Sequence, residues 1–497
     1  MSIGTPRPGD TGHESDSELL ARFGYEQKLK RTMGAFSSFA LSFSFVSITT
    51  GIFGNYSFGI QQGGPRFIWT WILVGIGQTL VALCLAQMAV RVPLAGAMYN
   101  WGSRLIGPRY GWFSGWFTLA GYMAGYAGVA YAFSAYFAPY FGIGTSTRTI
   151  VITTVILIVV VATINIVGMK LASHVNNVSV VTEIIGITVL GIGFLIYSLV
   201  HGHTHVGLTS NVGLAGSRLG HTHFGGFASS ILMGAYTLIG FECAADLSEE
   251  TKGAVRSVPR AIIYSIVISA VLGFFVILGF TLAIPSLPAV VNSGTPLLVI
   301  MQHYLGSVLT HIAMVMVFIS IFACTLMNTA TPARQMYALA RDNMLPAGGF
   351  LTRVTKGSHS PYASIVVVSV IAIAFTVVAK VEAVITSVSS VAIYVGYGLV
   401  IIAGLVNRKR LPSLDPNGFS LGRWHRPVAF AALTWLVVAI AALTIPAVGH
   451  KAAVAFLVVA GIAVAWYLVR IRRMHFGAIE GEEEVAAAPL GGEIGVG

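Results

Sequence analysis

Apolar residues run along this chain in long blocks, separated by short polar joints that hold most of its charges. A bilayer core about 30 Å thick takes about 20 helical residues. Twelve runs are of that order, at 36–61, 66–91, 110–141, 149–170, 177–200, 225–246, 259–284, 306–332, 362–379, 383–406, 427–447 and 451–471. The pattern predicts an all-α integral membrane protein with twelve transmembrane helices. Two amphipathic stretches fall outside the runs. YNWGSRLIGPRYGW, after the second run, is expected as a short helix lying at the inner interface, and TPLLVIMQHYLG, Thr295 to Gly306, as its outer counterpart.

Composition agrees. The chain has 497 residues, 55% hydrophobic and only 9% charged, against about 25% charged in an average soluble domain. Its net charge of +11 reports topology rather than nucleic-acid binding, because the basic residues sit between apolar runs. With the N-terminus inside, 24 of the 29 Lys and Arg fall on inner segments, and only Arg66, Arg148, Arg218, Lys380 and Lys451 fall outside. Both termini are then expected in the cytoplasm. Cys84, Cys243 and Cys324 lie inside apolar runs, which leaves no disulfide framework. The polar start with its mixed charges does not read as a cleaved signal peptide, and the acidic tail from 474 to 497 is expected to be disordered.

Candidate chemistry lies where apolar runs are interrupted. The first run contains Thr49, Thr50 and Gly51, then Gly54, and the sixth contains Gly234, Gly240 and Glu242. Glycine weakens a helix by about 1 kcal/mol relative to alanine. Interruptions in corresponding helices of two halves point to a transporter site, because unwound backbone at membrane depth must line a cavity. The alternative for each glycine is close helix packing.

Of 18 acidic residues, only Glu183, Glu242 and Asp246 fall inside runs, and charges there are costly enough to suggest function. If the helix resumes after the break, Glu242, Asp246 and Glu249 or Glu250 form an acidic stripe leading to the cytoplasm, which suits a proton relay. The structural alternative is that Glu242 caps broken backbone while Asp246 and Glu250 pair with Arg or Lys. Thr325, Asn328 and Thr329 in the eighth run are candidate cavity-lining groups. The loop histidines His201, His203, His205, His221 and His223 suit a metal or a pH sensor, but x-spaced histidines in a loop are more often solvated, so no metal is assigned. GYMAG, Gly121 to Gly125, reads as a packing face.

GFECAADLSEETKGAVRSVPRAI, ending in Pro259, Arg260, Ala261 and Ile262, resembles the sixth-helix signature of the amino acid, polyamine and organocation (APC) permease superfamily. TTGIFGNYSFGIQQGGP, VPLAGAMYNWG and GMKLASHVNNVSVVTEIIG are similar to its first, second and fifth helices, with a first helix like that of the amino acid and choline transporter branch. The resemblance implies a leucine-transporter-type fold of two inverted five-helix repeats plus two extra helices. Thr49, Thr50, Gly51 and Ile52 then correspond to residues whose amides hold a substrate carboxylate. Ile239, Gly240 and Phe241 correspond to residues whose carbonyls meet its amine. Two positions depart from the pattern: Thr49 stands where many relatives have Gly, and Glu183 where some proton-coupled relatives have Lys. Glu183 offers either an acid for H⁺ or a cationic substrate, or half of a structural ion pair.

The expected organisation is a cytoplasmic segment 1–35, a first repeat 36–200, an extracellular His-rich loop 201–224, a second repeat 225–406, helices 11 and 12 within 407–473, and the tail. The expected function is secondary import of an amino acid or related organic amine across the plasma membrane, coupled to H⁺, with no cofactor and no nucleic-acid partner. An amine, polyamine or choline-type transporter or exchanger is the alternative, and a ligand-sensing membrane protein the next. There is no P-loop, HExxH motif or nucleophile elbow, so ATP-driven transport and an intramembrane enzyme are disfavoured.

Overall fold

The computed structural model describes residue 29 and residues 31–201, 207–208, 223–379, 382–407, 418–446 and 449–474. The N-terminal segment before 29, the loop histidines His203, His205 and His221, and the acidic tail beyond 474 lie outside the described residues.

The first apolar run forms α1 (Ala35–Val46) and α2 (Ile48–Gly63), and the second α3 (Ile68–Arg91). Then come α4 (Ala97–Leu105), α5 (Pro108–Tyr140), α6 (Thr147–Val167) and α7 (Met169–His201). The sixth run breaks into α8 (His223–Ser229), α9 (Leu232–Thr237) and α10 (Cys243–Asp246). The chain continues through α11 (Ala254–Leu282), α12 (Leu287–Asn292), α13 (Pro296–Arg341), α14 (Gly348–Leu351), α15 (Tyr362–Ala379), α16 (Glu382–Asn407), α17 (His425–Thr444) and α18 (His450–Val469).

Among the described residues, nine helices are long and apolar enough to cross a membrane, and α15 is a shorter apolar helix. The third expected run falls on α5, whose 33 residues reach about 50 Å at 1.5 Å per residue, with glycines and tyrosines diluting its hydropathy. The sixth is too broken to count as one helix.

Helices α1, α2, α5, α9, α10, α13 and α16 make the packed interior. Helices α6, α7, α17 and α18 turn side chains such as Ile156, Val189, Val437 and Leu457 outward, each more than half exposed, as a lipid-facing surface requires. Helix α16 lies along α5, and α11 along α3.

One expectation is corrected. Helix α4 does not present its aromatic face to lipid: Tyr99, Asn100, Trp101 and Leu105 are buried against the protein. Carboxylates of the acidic segment hold the amides at its start and just before it, with Ala97 N–H donating to Asp246 at 2.9 Å and Ala95 N–H to Glu249 at 3.1 Å. Trp101 Nε1 also donates to the Val92 carbonyl at 2.9 Å. These internal partners suit a buried helix better than a lipid surface. The stretch from Pro296 is a helical segment joined to the rest of α13 through Gly306, at φ 67° and ψ −171°.

Candidate functional site

Two chain breaks face each other in the interior. Helix α1 ends at Val46 and α2 starts at Ile48, with Ser47 between them at φ 31° and ψ 98°, where a residue with a Cβ is uncommon. Ser47 Oγ accepts from Thr50 N–H at 3.2 Å, and its carbonyl accepts from Gly51 N–H at 3.0 Å. Glu183 reaches in from α7, its Oε1 accepting from Ser47 Oγ at 2.9 Å and from Thr49 N–H at 3.0 Å. A carboxylate thus caps the start of α2, where orphan amides and the helix dipole favour negative charge.

The break therefore falls at Ser47, whereas the sequence placed it over Thr49, Thr50 and Gly51. Those residues form the first turn of α2, because Ser47 and Glu183 supply the missing cap. The amides of Thr49, Thr50 and Gly51 all have partners within the protein. Glu183 has a hydroxyl and an amide as partners, not a Lys or Arg.

The second break spans Leu238 to Glu242, between α9 and α10. Gly240 turns at φ 80°, and a Cβ there would meet the Phe45 ring at 1.9 Å, so only glycine lets the two breaks approach. Gly240 N–H donates to Tyr397 Oη at 3.1 Å, and its carbonyl accepts from Cys243 N–H at 3.1 Å. The Phe241 carbonyl accepts from Ser42 Oγ of α1 at 2.7 Å.

Glu242 is fully buried at the end of this break. Its two oxygens accept from the hydroxyls of Tyr122 on α5 and Tyr397 on α16. Tyr122 also lies 3.4 Å from Asp246 Oδ2. The expected helical stripe is not formed, since α10 has four residues and gives way to a 3₁₀ turn, Ser248–Glu250. Its acids instead have separate partners. Asp246 and Glu249 hold the start of α4, Glu249 also meets Arg341 at 3.3 Å, and Glu250 meets buried Arg334 at 2.8 Å. The structural alternative thus holds for Glu250, whereas Asp246 pairs with an amide and a tyrosine.

Between the breaks lies a small cavity of about 10 Å³, roughly the space for one water. Phe45, Val46, Thr50 and Gly51 line it from the first break, Tyr236 and Ile239 from the second. Gly125 and Val129 of α5, Cys324 and Asn328 of α13 and Ser389 of α16 complete the wall. Of the other candidates, Thr49, Ile52, Gly240 and Phe241 are buried but do not line it. Thr325 and Thr329 do not line it: they donate to the carbonyls of Ile321 and Thr325 on their own helix.

Of the lining residues, Tyr236 and Ser389 were not singled out from sequence, and Gly125 and Cys324 were not named as cavity residues. Gly125 closed the GYMAG motif read as packing, and Ser389 does pack, donating to the Gly121 carbonyl at 2.8 Å. Glu382 was also missed, placed one residue outside its run. It opens α16 beside Gly54, where a Cβ would lie 2.5 Å from Glu382 Oε1, and that buried oxygen has no hydrogen-bond partner. The unpaired Asn55 Nδ2 and Tyr136 hydroxyl are buried in the same region, Asn55 linked through Thr386 at 3.3 Å. Among the described residues no group of three His, Cys, Asp or Glu could hold a metal ion.

Comparison with known proteins agrees with this architecture. The chain is 26% identical to the amino-acid permease BAT1 homolog of Oryza sativa subsp. japonica over 472 residues, 88% of each chain. It is 26% identical to amino-acid permease BAT1 of Arabidopsis thaliana, covering 85% of this chain and 87% of that one. The thiamine transporter thi9 of Schizosaccharomyces pombe is 25% identical over 91% of this chain and 85% of its own. The crystal structure of MhsT in complex with L-phenylalanine shares the fold at TM-score 0.53 and 14% identity, over 86% of this chain and 98% of that one. The amino acid permease family profile spans residues 33–468, so this chain belongs to the amino acid permease family of the APC superfamily, as a multi-pass membrane transporter and not an enzyme.

Proposed function

We propose that the protein imports an amino acid across the plasma membrane as a secondary active transporter, by alternating access around the breaks at Ser47 and at Leu238–Glu242. The observation that carries this reading is the small cavity lined from both breaks, too small for an amino acid until one side moves. In this reading the chain crosses the membrane twelve times, as two inverted five-helix repeats plus two helices, with both termini in the cytoplasm. The amides of Thr49, Thr50, Gly51 and Ile52 and the carbonyls of Ile239, Gly240 and Phe241 become the substrate's partners as the breaks rearrange.

The cavity wall favours a zwitterion over an organocation. Its residues are apolar or neutral polar, with no carboxylate among them, so a net positive charge would enter without a counterion. The printed names of the BAT1 relatives and the phenylalanine bound to MhsT point the same way, whereas the thiamine transporter relative keeps the organic-cation alternative alive.

Proton coupling is assigned to Glu242 and Asp246, with Tyr122 and Tyr397. Three oxygen–oxygen links join these four groups, but the two tyrosines bring only two hydroxyl hydrogens. A proton on either carboxyl supplies the third, so the cluster has a place for one extra proton beside the second break. Glu183 is assigned the cap of α2.

Reconstituted protein tests the reading. Proteoliposomes should show counterflow of a labelled neutral amino acid, and an inward-acidifying proton flux on its addition. A ligand that raises thermal stability but is never exchanged would instead make the chain a sensor. Counterflow of choline or a polyamine in place of amino acids would move the substrate class to organocations.

A further inference from the structure

At the end of the bundle where α18 finishes, a cavity of about 780 Å³ opens beside the junction of α4 and α5, far larger than the space between the breaks. Arg109, Arg472 and Arg473 line it, with Tyr110, Phe113 and Tyr467 as its apolar wall. The Phe113 and Tyr467 rings pack 5.2 Å apart, and Arg109 Nη2 donates to the Arg472 carbonyl at 3.1 Å, so two distant parts of the chain build the pocket together. The three guanidiniums have no carboxylate partner among the described residues. Guanidinium forks match phosphate oxygens in both charge and geometry.

The surroundings of the pocket separate a lipid from a soluble anion. Its Tyr467 lies on α18, whose neighbouring Val464, Leu468 and Val469 are 47%, 50% and 64% exposed on the surface that faces acyl chains. A charged pocket at the end of a lipid-facing helix sits at headgroup level, where anionic lipids are drawn to basic side chains.

We propose that this pocket binds the phosphate headgroup of an anionic phospholipid, whose acyl chains lie along α18. The site is separate from the transport pathway and does not depend on the identity of the cargo.

The test uses full-length protein in a neutral detergent, titrated with short-chain phosphatidylglycerol, with phosphatidylcholine of the same chain length and with inorganic phosphate, and read by thermal unfolding and native mass spectrometry. Phosphatidylglycerol should bind saturably and raise the melting temperature, and the other two should not. Arg472 and Arg473 are exposed, so R472Q/R473Q should leave the unliganded melting temperature unchanged while weakening phosphatidylglycerol binding about thirtyfold. R472K/R473K keeps the charge and should retain affinity within about threefold. Equal binding of phosphatidylcholine, equal binding of inorganic phosphate, or an unchanged affinity in the glutamine pair would overturn the proposal. So would binding that appears only after truncation following Met474, because the acidic tail with Glu480, Glu482, Glu483 and Glu484 would then be the occupant.

Discussion

The two chain breaks each bury a glutamate, and the two meet different sets of donors. At the first, Glu183 comes from another helix and accepts from Ser47 and from the Thr49 amide. An amide of this kind is a fixed donor, so Glu183 is anchored as part of the backbone's own hydrogen bonding. At the second, Glu242 belongs to the break itself and accepts from two tyrosine hydroxyls. Hydroxyls can rotate and trade donor for acceptor roles. Both carboxyls are buried, so depth alone does not distinguish them; only Glu183 faces a backbone amide, and the proposed roles of helix cap and proton site follow that difference.

The comparison can be broken most decisively by swapping charge for amide at each glutamate. A one-unit pH gradient drives about tenfold accumulation when one proton moves per substrate. Glu242→Gln should bring that ratio to about 1 while counterflow at equal pH persists. Glu183→Gln should keep accumulation, and if it instead loses it while Glu242→Gln does not, the two roles are reversed.

The next largest effect is expected at Gly240. An alanine there must hold φ 80° and clear the Phe45 ring, which should cost about 1–3 kcal/mol and lower the melting temperature together with uptake. Wild-type stability in Gly240→Ala would mean the breaks need not approach so closely.

Removing the cap is smaller in its reach. Glu183→Ala leaves the Thr49 amide without its acceptor and should cost about 1–3 kcal/mol in denaturation measurements, with cargo selectivity unchanged. The smallest effect belongs to Glu183→Gln, whose remaining carbonyl oxygen can accept from the same amide, for a loss of about 1 kcal/mol or less. A cost in Glu183→Gln as large as in Glu183→Ala would show that the charge, and not the acceptor, holds the cap.

Much of the architecture was legible because membrane insertion writes itself into run length. The limits of the first run, the sixth run and the joint at Gly306 each correspond to a feature of the helices. Helix α4 was misplaced because its aromatic and basic residues match an interfacial helix equally well, and only the distant Asp246 and Glu249 show that it is buried. Glu382 escaped notice for a related reason. One position beyond an apolar run it looked like loop, yet the fold tucks its carboxylate against Gly54.

The sequence by itself determined the multi-pass membrane class, the two apolar runs that are interrupted and most of the buried acids that had to be explained, because apolar length, glycine and buried charge each carry a local energetic cost. It could not determine what answers each charge. Ser47 and Glu183 are separated by 136 positions, Tyr122 and Glu242 by 120, and Glu242 and Tyr397 by 155. A carboxylate at bilayer depth is tolerable only with polar partners in contact, and those partners are chosen by how distant helices cross. That choice, which makes one glutamate a cap and the other a candidate proton carrier, was made by the tertiary structure alone.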